Sequence, residues 1–389
     1  MNRYVITDYG VKADTSELQT KELQAVLDKC KDGGGTVVIP RGRFCVAALY
    51  MYSNTTLYLE KGAELYGSDE CDDYEIFKIP EGLPVRSDME LIPQQYNYQP
   101  WESYRRAIIS AYGEKNISII GETGAVIDGV NCYDANGEEG YRGPHAVFLT
   151  CCENVLLEGY TARHSGNFLH EANNCKGLTM RRVTCLGGSD GIHLHCTEDA
   201  LIEDCLFKTG DDCIAGINIK NLLVRRCILN TSCNLFRIGG KNIRVEDTYA
   251  YGPGYYPHRK TVVKGKGEEL PRTEGRHNTL HLVEYFASEM FPSTEADITF
   301  KNCVIENAHA VLHYFADDVP KLHSGAHLTK FTLENVRFTD LKGTSKPQAS
   351  EKEPLTVVLK NVTAEFVDEA PVKQLFKLDE CRNTNIVEE

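Results

Sequence analysis

A strand-like segment recurs about every 22 residues through the middle of this chain, a period typical of a stacked repeat. Five copies begin at Asn154, Gly177, Asp199, Asn221 and Asn242, and the same pattern returns near Asp297, Lys330 and Pro354. Each copy alternates apolar and polar residues, and turn-forming residues follow it, as is typical of a strand and its turn. Because one such unit cannot bury its own apolar face, the period predicts an all-β stacked solenoid.

The period also predicts which residues stack in columns. If one period makes one coil, Met180, Ile202 and Val224 form one interior column. A second interior column contains Val183, Cys205 and Cys227. Successive coils are expected about 4.8 Å apart, the spacing of paired strands. We interpret Cys205, Cys227 and Cys303 as core residues on this basis.

The rest of the chain is organised around this solenoid, which we expect to span residues 1–389 as a single domain. Ser16 followed by Gln19 resembles a capping box, and the apolar residues that follow keep a helical spacing up to the glycines at 33–35. Residues 16–31 are therefore predicted to form an N-terminal capping helix. Residues 71–105 and 252–296 break the period and are predicted to be inserted loops.

Composition excludes several classes of function. The formal net charge is −14, which argues against nucleic acid as a partner, since such binding depends on Lys and Arg contacts to phosphate. No apolar stretch approaches the roughly 20 residues of a membrane span, so no membrane partner is expected. No basic segment followed by an apolar run opens the sequence, and its 15 cysteines are an odd number. Reduced thiols and a cytoplasmic location are expected, with secretion the alternative if a leader was removed.

Three aspartates are the strongest candidates for chemistry. Asp211 and Asp212 are adjacent in Thr209-Gly-Asp-Asp-Cys-Ile-Ala215, and Asp190 lies one period before Asp212. Asn167, Asp190, Asp212 and Asn234 thus share one predicted column, and Ser189, Asp211 and Cys233 share the next. Stacked carboxylates repel, and a like charge raises the pKa of one of them, which suits acid/base catalysis on a glycosidic bond. Two structural alternatives are a hydrogen-bonded Asn/Asp ladder and a calcium site.

Other side chains are predicted to face the same surface. Ile192, Ile214 and Phe236 alternate with His193, Ala215 and Arg237, so the second set should point outward. The small Ala215 between two long polar residues predicts a hollow. His195 is two residues beyond His193 and should share its face.

The chain resembles glycoside hydrolase family 28, the polygalacturonase-like family. The resemblance rests on Thr209–Ala215, on Ala125-Val-Ile-Asp-Gly129, on Phe168-Leu-His170 and on an N-terminal region that includes Gly33-Gly-Gly-Thr-Val-Val-Ile-Pro40. It implies a right-handed parallel β-helix of the pectin-lyase-like class. It also implies that Asp211 is the general acid and that Asp190 and Asp212 activate water, with inversion of the anomeric carbon. An inverting site of this kind is expected to hold its carboxyl groups about 6.5–9.5 Å apart.

The sequence departs from the family at several positions. The Asn-Thr-Asp motif of the family is Gly188-Ser189-Asp190 here, and Asn234 stands near the position of the family histidine. The motif that grips a substrate carboxylate has no clear match; its neighbourhood is Tyr255–Lys260. The resemblance therefore supports hydrolysis better than it supports galacturonate. The predicted sugar contacts are His170, His193, His195, Asn234, Arg237, His258 and Lys260, with Arg259 and the later residues His281, Glu284, Tyr285 and His313 as further candidates.

Three functions remain open from the sequence. The first is a glycosidase that acts on an oligo- or polysaccharide without a cofactor, and the long loops favour a closed, exo-acting pocket. The second is a lyase or epimerase on a uronic sugar, which would need a basic side chain near the acids, with Arg237 as the candidate. The third is a non-catalytic glycan-binding β-helix. The sequence predicts no oligomeric state.

Overall fold

The computed structural model describes residues 2–83, 104–259, 275–285, 296–316 and 327–389. Within these ranges one α-helix, Thr20–Leu27 (α1), accompanies a long series of strands. The strands are, in chain order, Arg3–Val5 (β1), Gly35–Ile39 (β2), Gly42–Cys45 (β3), Leu49–Tyr50 (β4), Thr55–Leu59 (β5), Ala63–Tyr66 (β6), Ala107–Tyr112 (β7), Lys115–Gly121 (β8), Val126–Asp128 (β9), His145–Thr150 (β10), Glu153–Glu158 (β11), Thr161–Arg163 (β12), His170–Asn173 (β13), Lys176–Arg181 (β14), Thr184–Gly187 (β15), Ile192–His195 (β16), Glu198–Glu203 (β17), Leu206–Thr209 (β18), Ile214–Arg225 (β19), Ile228–Thr231 (β20), Phe236–Glu246 (β21), Tyr249–Tyr251 (β22), His281–Tyr285 (β23), Ala296–Lys301 (β24), Val304–Glu306 (β25), Ala310–His313 (β26), Leu328–Glu334 (β27), Arg337–Leu341 (β28), Leu355–Lys360 (β29), Thr363–Phe366 (β30) and Thr384–Glu388 (β31).

These strands wind into a right-handed parallel β-helix, as predicted. A typical coil contributes three strands, such as β13, β14 and β15, and each pairs in parallel with its counterpart one coil later, here β16, β17 and β18. In the two coils that contain β19 and β21, the first two strands merge into one long strand around the corner. The interior columns have the predicted register: Met180 pairs with Ile202, and Ile202 pairs with Val224.

Burial follows from this stacking. The inward column residues Ile192, Ile214 and Phe236 are fully or almost fully buried. Cys205, Cys227 and Cys303 are buried as well, which confirms their interpretation as core residues. All 15 cysteines are described, and none of them forms a disulfide in the structure.

Asparagines explain the turns that open the repeat units. Asn154, Asn221 and Asn242 have φ between 53° and 57°, the left-handed conformation that Asn tolerates better than most residues. Their side chains bond between coils, as in the 2.9 Å bond from Asn242 Nδ2 to Asn221 Oδ1. The hydrogen-bonded ladder considered as an alternative for the aspartates thus exists, but on a different corner of the helix.

Two predicted boundaries need correction. The capping helix begins at Thr20 rather than at residue 16 and continues as a 3₁₀ turn, Asp28–Cys30. The capping box is absent because the Gln19 side chain instead bonds both backbone groups of Lys12. Residues 252–296 are not one continuous insertion, because β23 within them pairs with β21 and β26 as part of the stack. Across the described ranges, no helix has the length and apolar character to span a bilayer.

Candidate active site

The three aspartates converge on one corner of the β-helix. Asp190 follows β15, and Asp211 and Asp212 follow β18, so two stacked turns carry them. The backbone N–H of Gly191 donates to the carbonyl of Asp212 at 3.0 Å, which holds the turns in register. One carboxylate oxygen from each of the three aspartates lies within 4.8 Å of the others. The predicted convergence is confirmed, although these oxygens are closer together than the separation expected of an inverting pair.

Asp211 is held by two side chains from outside the repeat, Arg142 and His258. Arg142 Nη2 lies 3.0 Å from Asp211 Oδ2, and His258 Nε2 lies 3.5 Å from Asp211 Oδ1. Burial raises the pKa of Asp211, but the hydrogen bond and charge of His258 and the charges of Arg142 and Arg237 outweigh it. The pKa of Asp211 therefore falls below its usual range, and this carboxylate is ionised in the unliganded protein.

The pKa values of Asp190 and Asp212 are shifted in the opposite direction to that of Asp211. Burial, followed by the negative charges of the other two aspartates, raises the pKa of Asp190 well above its usual value. Burial and then the charge of Asp211 raise the pKa of Asp212 to about 7. Because the three groups interact strongly, they titrate as a unit. At neutral pH Asp190 thus keeps its proton and Asp211 is ionised, while Asp212 is near the midpoint of its titration.

Asn234 holds Asp212 in place. Its backbone N–H and its Nδ2 both donate to Asp212 Oδ1 at 2.9 Å. Nδ2 also lies 2.7 Å from Glu284 Oε2, and Asn234 Oδ1 is 2.9 Å from His281 Nδ1. Asn234 is only 1% exposed. The prediction of a direct sugar contact is therefore wrong for Asn234, because its amide is committed to protein groups.

A column of outward residues crosses the site. His193 pairs with Ala215, Ala215 with Arg237, and Arg237 with Glu284, which confirms the predicted alternation. Arg237 is close to all three aspartates as well as to Glu284. Burial lowers its pKa, but those four carboxylates more than compensate and raise it above its usual value. Arg237 therefore remains charged and offsets part of the negative charge of the cluster. The hollow predicted at Ala215 is not open, since Ala215 is fully buried.

The remaining predicted histidines differ in placement. His170 points into the core, where its ring nitrogens lie 3.0 Å from Tyr160 Oη and from the carbonyl of Gly191, and burial lowers its pKa to about 4. It is a core residue, so its predicted role as a sugar contact is wrong. His193 reaches the cluster, with Nδ1 4.0 Å from Asp190 Oδ2. The ring of His195 packs against that of His193 at 4.2 Å, and His195 is 2% exposed, as little as Asp212, so its sugar contact stays a prediction.

The candidates from later in the chain also differ in whether they reach the aspartate cluster. His258 reaches Asp211 as described above, whereas Arg259 is buried and donates to the carbonyl of Gly166 at 2.8 Å. Glu284 and His281 join the network at Asn234, and the rings of His281 and His313 stack at 4.9 Å. Tyr285 is buried and accepts the N–H of Gly240 at 3.3 Å. Lys260 lies outside the described residues.

Sequence reasoning missed Arg142. It lies in the connection between β9 and β10, which was not recognised as a break in the period. Its guanidinium is 4.8 Å from the ring centre of Phe168, and its Nη1 donates to Asn167 Oδ1 at 3.2 Å. The available signal was the interval between Asp128 and His145, which is too long for one turn of the repeat.

The same face of the β-helix is closed on the N-terminal side of the aspartates. Glu171 and Phe148 occupy the outward column one and two coils before His193, respectively, yet both are fully buried. Tyr104 covers them and donates from Oη to Glu171 Oε2 at 2.7 Å. An aromatic and aliphatic cluster completes the cover, and its members are Tyr50, Phe77, Ile79, Leu83, Tyr104, Ala107, Tyr112, Phe148 and Phe168.

Two sets of side chains could in principle offer ligands to a metal ion. One is the aspartate trio, and the other is Asp211, Cys233 and His258. Calcium takes six to eight oxygen ligands, so the trio would need water or substrate oxygens to complete the coordination. Both sets also contain Asp211, whose charge is already compensated by Arg142 at 3.0 Å. The calcium alternative is therefore a poor fit to this donor set.

The raised pKa of Asp212 leads to a prediction about stability. A group with a raised folded pKa binds more protons in the native than in the unfolded state, so the stability it contributes is lost as pH rises from about 4 to about 7. Asp212→Asn removes this loss while keeping an oxygen that can accept from Asn234. We expect the variant to be more stable than wild type by about 2–4 kcal/mol at pH 8. Near pH 4 the difference should be small, as measured by urea unfolding at both pH values. A variant that is less stable than wild type at pH 8 would contradict the raised pKa.

Comparison with known proteins supports the fold and the family resemblance. The family model described as "Glycosyl hydrolases family 28" matches residues 84–234, which include all three aspartates. An exo-poly-alpha-D-galacturonosidase of Dickeya chrysanthemi is 24% identical over 256 residues, covering 54% of this chain and 41% of that protein. A probable polygalacturonase of Vitis vinifera is 24% identical over 287 residues, covering 63% of this chain and 54% of the relative.

The chain thus spans about half the length of these curated relatives. Among solved structures, an exopolygalacturonase from Thermotoga maritima superimposes with a TM-score of 0.62 at 15% identity, over 94% of this chain and 87% of that one. This likeness shows the shared fold. The matched region contains the three converged aspartates, and over these residues the chain is similar to glycosyl hydrolases family 28.

Proposed function

We propose that this protein is a glycoside hydrolase that cleaves an O-glycosidic bond of an oligo- or polysaccharide with Asp190, Asp211 and Asp212. The observation that carries the proposal is the buried trio, whose pKa values are driven in opposite directions. Buried like charges destabilise a fold, whereas pairs of groups with separated pKa values perform acid/base catalysis. A glycan-binding protein without activity would have no use for this separation.

The roles implied by the family require the cluster proton to move. As general acid, Asp211 must carry a proton when the bond breaks, whereas the unliganded site keeps that proton on Asp190. The oxygens are within 4.8 Å of one another, so a small rearrangement can transfer it. A sugar oxygen that displaces Arg142 from Asp211 would favour the transfer. When Asp190 passes its proton to Asp211 while Asp212 is deprotonated, Asp190 and Asp212 are both ionised beside Arg237 and can take a proton from water.

The stereochemical course is proposed from the family resemblance. Inverting glycosidases ordinarily place their carboxyl groups about 6.5–9.5 Å apart, and retaining ones about 5–5.5 Å apart. The nearest oxygens here lie within 4.8 Å, so their separation does not by itself favour inversion. Retention through attack by Asp190 or Asp212 is the alternative, and the configuration of the product distinguishes the two.

Action at a chain end is supported by the closed groove. Tyr104 and Phe168 bury the outward face immediately before the coil of His193, which leaves little room for further sugars on that side of the aspartates. A sugar that contains a carboxylate fits the cations Arg142 and Arg237 and agrees with the galacturonosidase relative. We therefore propose a uronate-containing substrate that is shortened from one end.

The second enzyme class is less well supported. A lyase or epimerase needs a base, and Arg237 is its candidate. Four carboxylates raise the pKa of Arg237 above its usual value, so it cannot accept a proton at neutral pH. The observation favours the hydrolase.

The decisive experiment follows the product of the wild-type protein by NMR. Oligogalacturonates and neutral oligosaccharides are incubated with the protein and a chelator. A reducing sugar of inverted configuration, released one unit at a time, is the expected result. A product of retained configuration would overturn inversion alone. An unsaturated product, or activity that the chelator abolishes, would overturn the proposed mechanism.

A further inference from the structure

A short segment that follows β22, residues 252–259, leaves the repeat and is hydrogen-bonded to the coil that carries β20. Asn230 Nδ2 donates to the carbonyls of Tyr251 and Pro253 at 2.8 and 2.9 Å, and Asn230 Oδ1 accepts the N–H of Tyr255 at 2.6 Å. Ser232 Oγ donates to the carbonyl of Tyr256. The side chain of Asn230 is completely buried, so these bonds are protected from water.

Two glycines allow the close approach. A Cβ at Gly210, which precedes Asp211, would lie 2.0 Å from the carbonyl oxygen of Pro257. A Cβ at Gly254 would lie 2.0 Å from Ser232 Oγ. Neither position has room for a side chain. The glycine of the Thr-Gly-Asp-Asp motif thus serves to seat this segment against the turn that carries the aspartates.

The seated segment also contacts the loop that bears Arg142. Arg259 is buried, and its Nη2 donates to Asn131 Oδ1, in the connection between β9 and β10. The N–H of His258 donates to the carbonyl of Arg276 at 2.9 Å. The position of His258 is therefore fixed by its backbone hydrogen bond and by the contacts of the adjacent Arg259. Its Nε2 lies 3.5 Å from Asp211 Oδ1.

The two oxygens of Asp211 consequently have different partners. Oδ2 is paired with Arg142 at 3.0 Å, and Oδ1 faces His258 Nε2 at 3.5 Å. Charged or titratable groups approach this corner from every element packed around it, and they are Arg142, Asp190, Asp212, Cys233, Arg237 and Arg276.

We propose that His258, supplied by residues 252–259 outside the repeat, is a positioning residue for Asp211. This inference rests on the proposed function, since it assigns His258 a part in preparing the acid. His258 orients the carboxylate through Oδ1 and, with Arg142, keeps Asp211 ionised until substrate enters. Residues 252–259 are thereby part of the site although they lie outside the repeat.

The test does not depend on knowing the sugar. The protein is labelled with ¹³C at the aspartate carboxyl carbon, and the Asp211 signal is assigned by its loss in Asp211→Asn. In His258→Ala we expect the midpoint of Asp211 to rise by about one pH unit or more, because an opposite charge is removed. In His258→Gln, which keeps a hydrogen-bond donor without the charge, the midpoint of Asp211 should rise by less. Gly210→Ala should raise the midpoint with His258 intact, because it displaces Pro257.

His309→Ala, which removes an exposed histidine in a later coil, is the matched control and should leave the midpoint unchanged. Where hydrolysis is measured, the alkaline limb of the kcat profile, which reports loss of the proton from the general acid, should move with the midpoint while KM changes little. An unchanged midpoint in His258→Ala overturns the role of His258 and leaves the proposed hydrolysis intact. Absence of hydrolysis on every sugar, with the midpoint shifted as expected, overturns the function and keeps the link between His258 and Asp211.

Discussion

Asp211→Asn is expected to lower kcat by about 10²–10⁴-fold with little change in KM. Asparagine has nearly the same shape as aspartate, so the turn and its contacts can persist, but it cannot deliver a proton to the leaving oxygen. Because the variant leaves Arg142 and His258 without their carboxylate, some loss of stability should accompany it. Rates are therefore measured on the oligosaccharide that the wild type cleaves, well below the unfolding temperature.

Asp204→Asn is the control for this experiment. Asp204 is an exposed aspartate on the outside of the β-helix, where it pairs with Arg226 at 2.8 Å. It is not part of the aspartate cluster. Its replacement should leave kcat within about twofold, since exposed ion pairs contribute little. If Asp211→Asn retained near wild-type kcat, the assignment of the acid would be wrong, and Asp190 or Asp212 would have to supply the proton.

Gly216→Ala is expected to destabilise the protein by about 3–5 kcal/mol. Gly216 has φ of +143°, and a Cβ there would lie 1.6 Å from the carbonyl oxygen of Leu194 in the preceding coil. That oxygen belongs to the strand ladder and cannot withdraw without breaking it. The free energy of unfolding is measured by urea denaturation, with circular dichroism to confirm that the variant still folds.

Gly187→Ala separates the two causes of this loss. Gly187 has a similar φ of +148°, but its Cβ would meet nothing closer than the backbone nitrogen of His164 at 3.3 Å. Its replacement should lower the free energy of unfolding by about 1–3 kcal/mol, because only backbone strain is introduced. Equal losses in the two variants would mean that the collision with Leu194 contributes nothing.

The site residues that lie within the repeat could be placed from the repeat length alone. A constant repeat length places Asp190 under Asp212 because every coil of a parallel stack has the same path, so equal sequence positions become neighbours. The same reasoning predicted the outward column of His193, Ala215 and Arg237. The prediction for His170 rested on the resemblance and not on the period, and it is wrong because one residue of offset along a strand reverses the face, which turns this ring into the core.

The sequence by itself therefore determined the β-helix, its core columns and the meeting of three aspartates, because these depend on local alternation and a constant period. Only the tertiary structure decided what surrounds the aspartates. Arg142 and His258 reach Asp211 from distant segments on either side of it in the sequence. Those segments follow no period, and a pairing of that kind is set by how loops pack. The direction in which each aspartate pKa moves follows from those neighbours and from burial. The protonation of the site is thus a property of the folded surroundings.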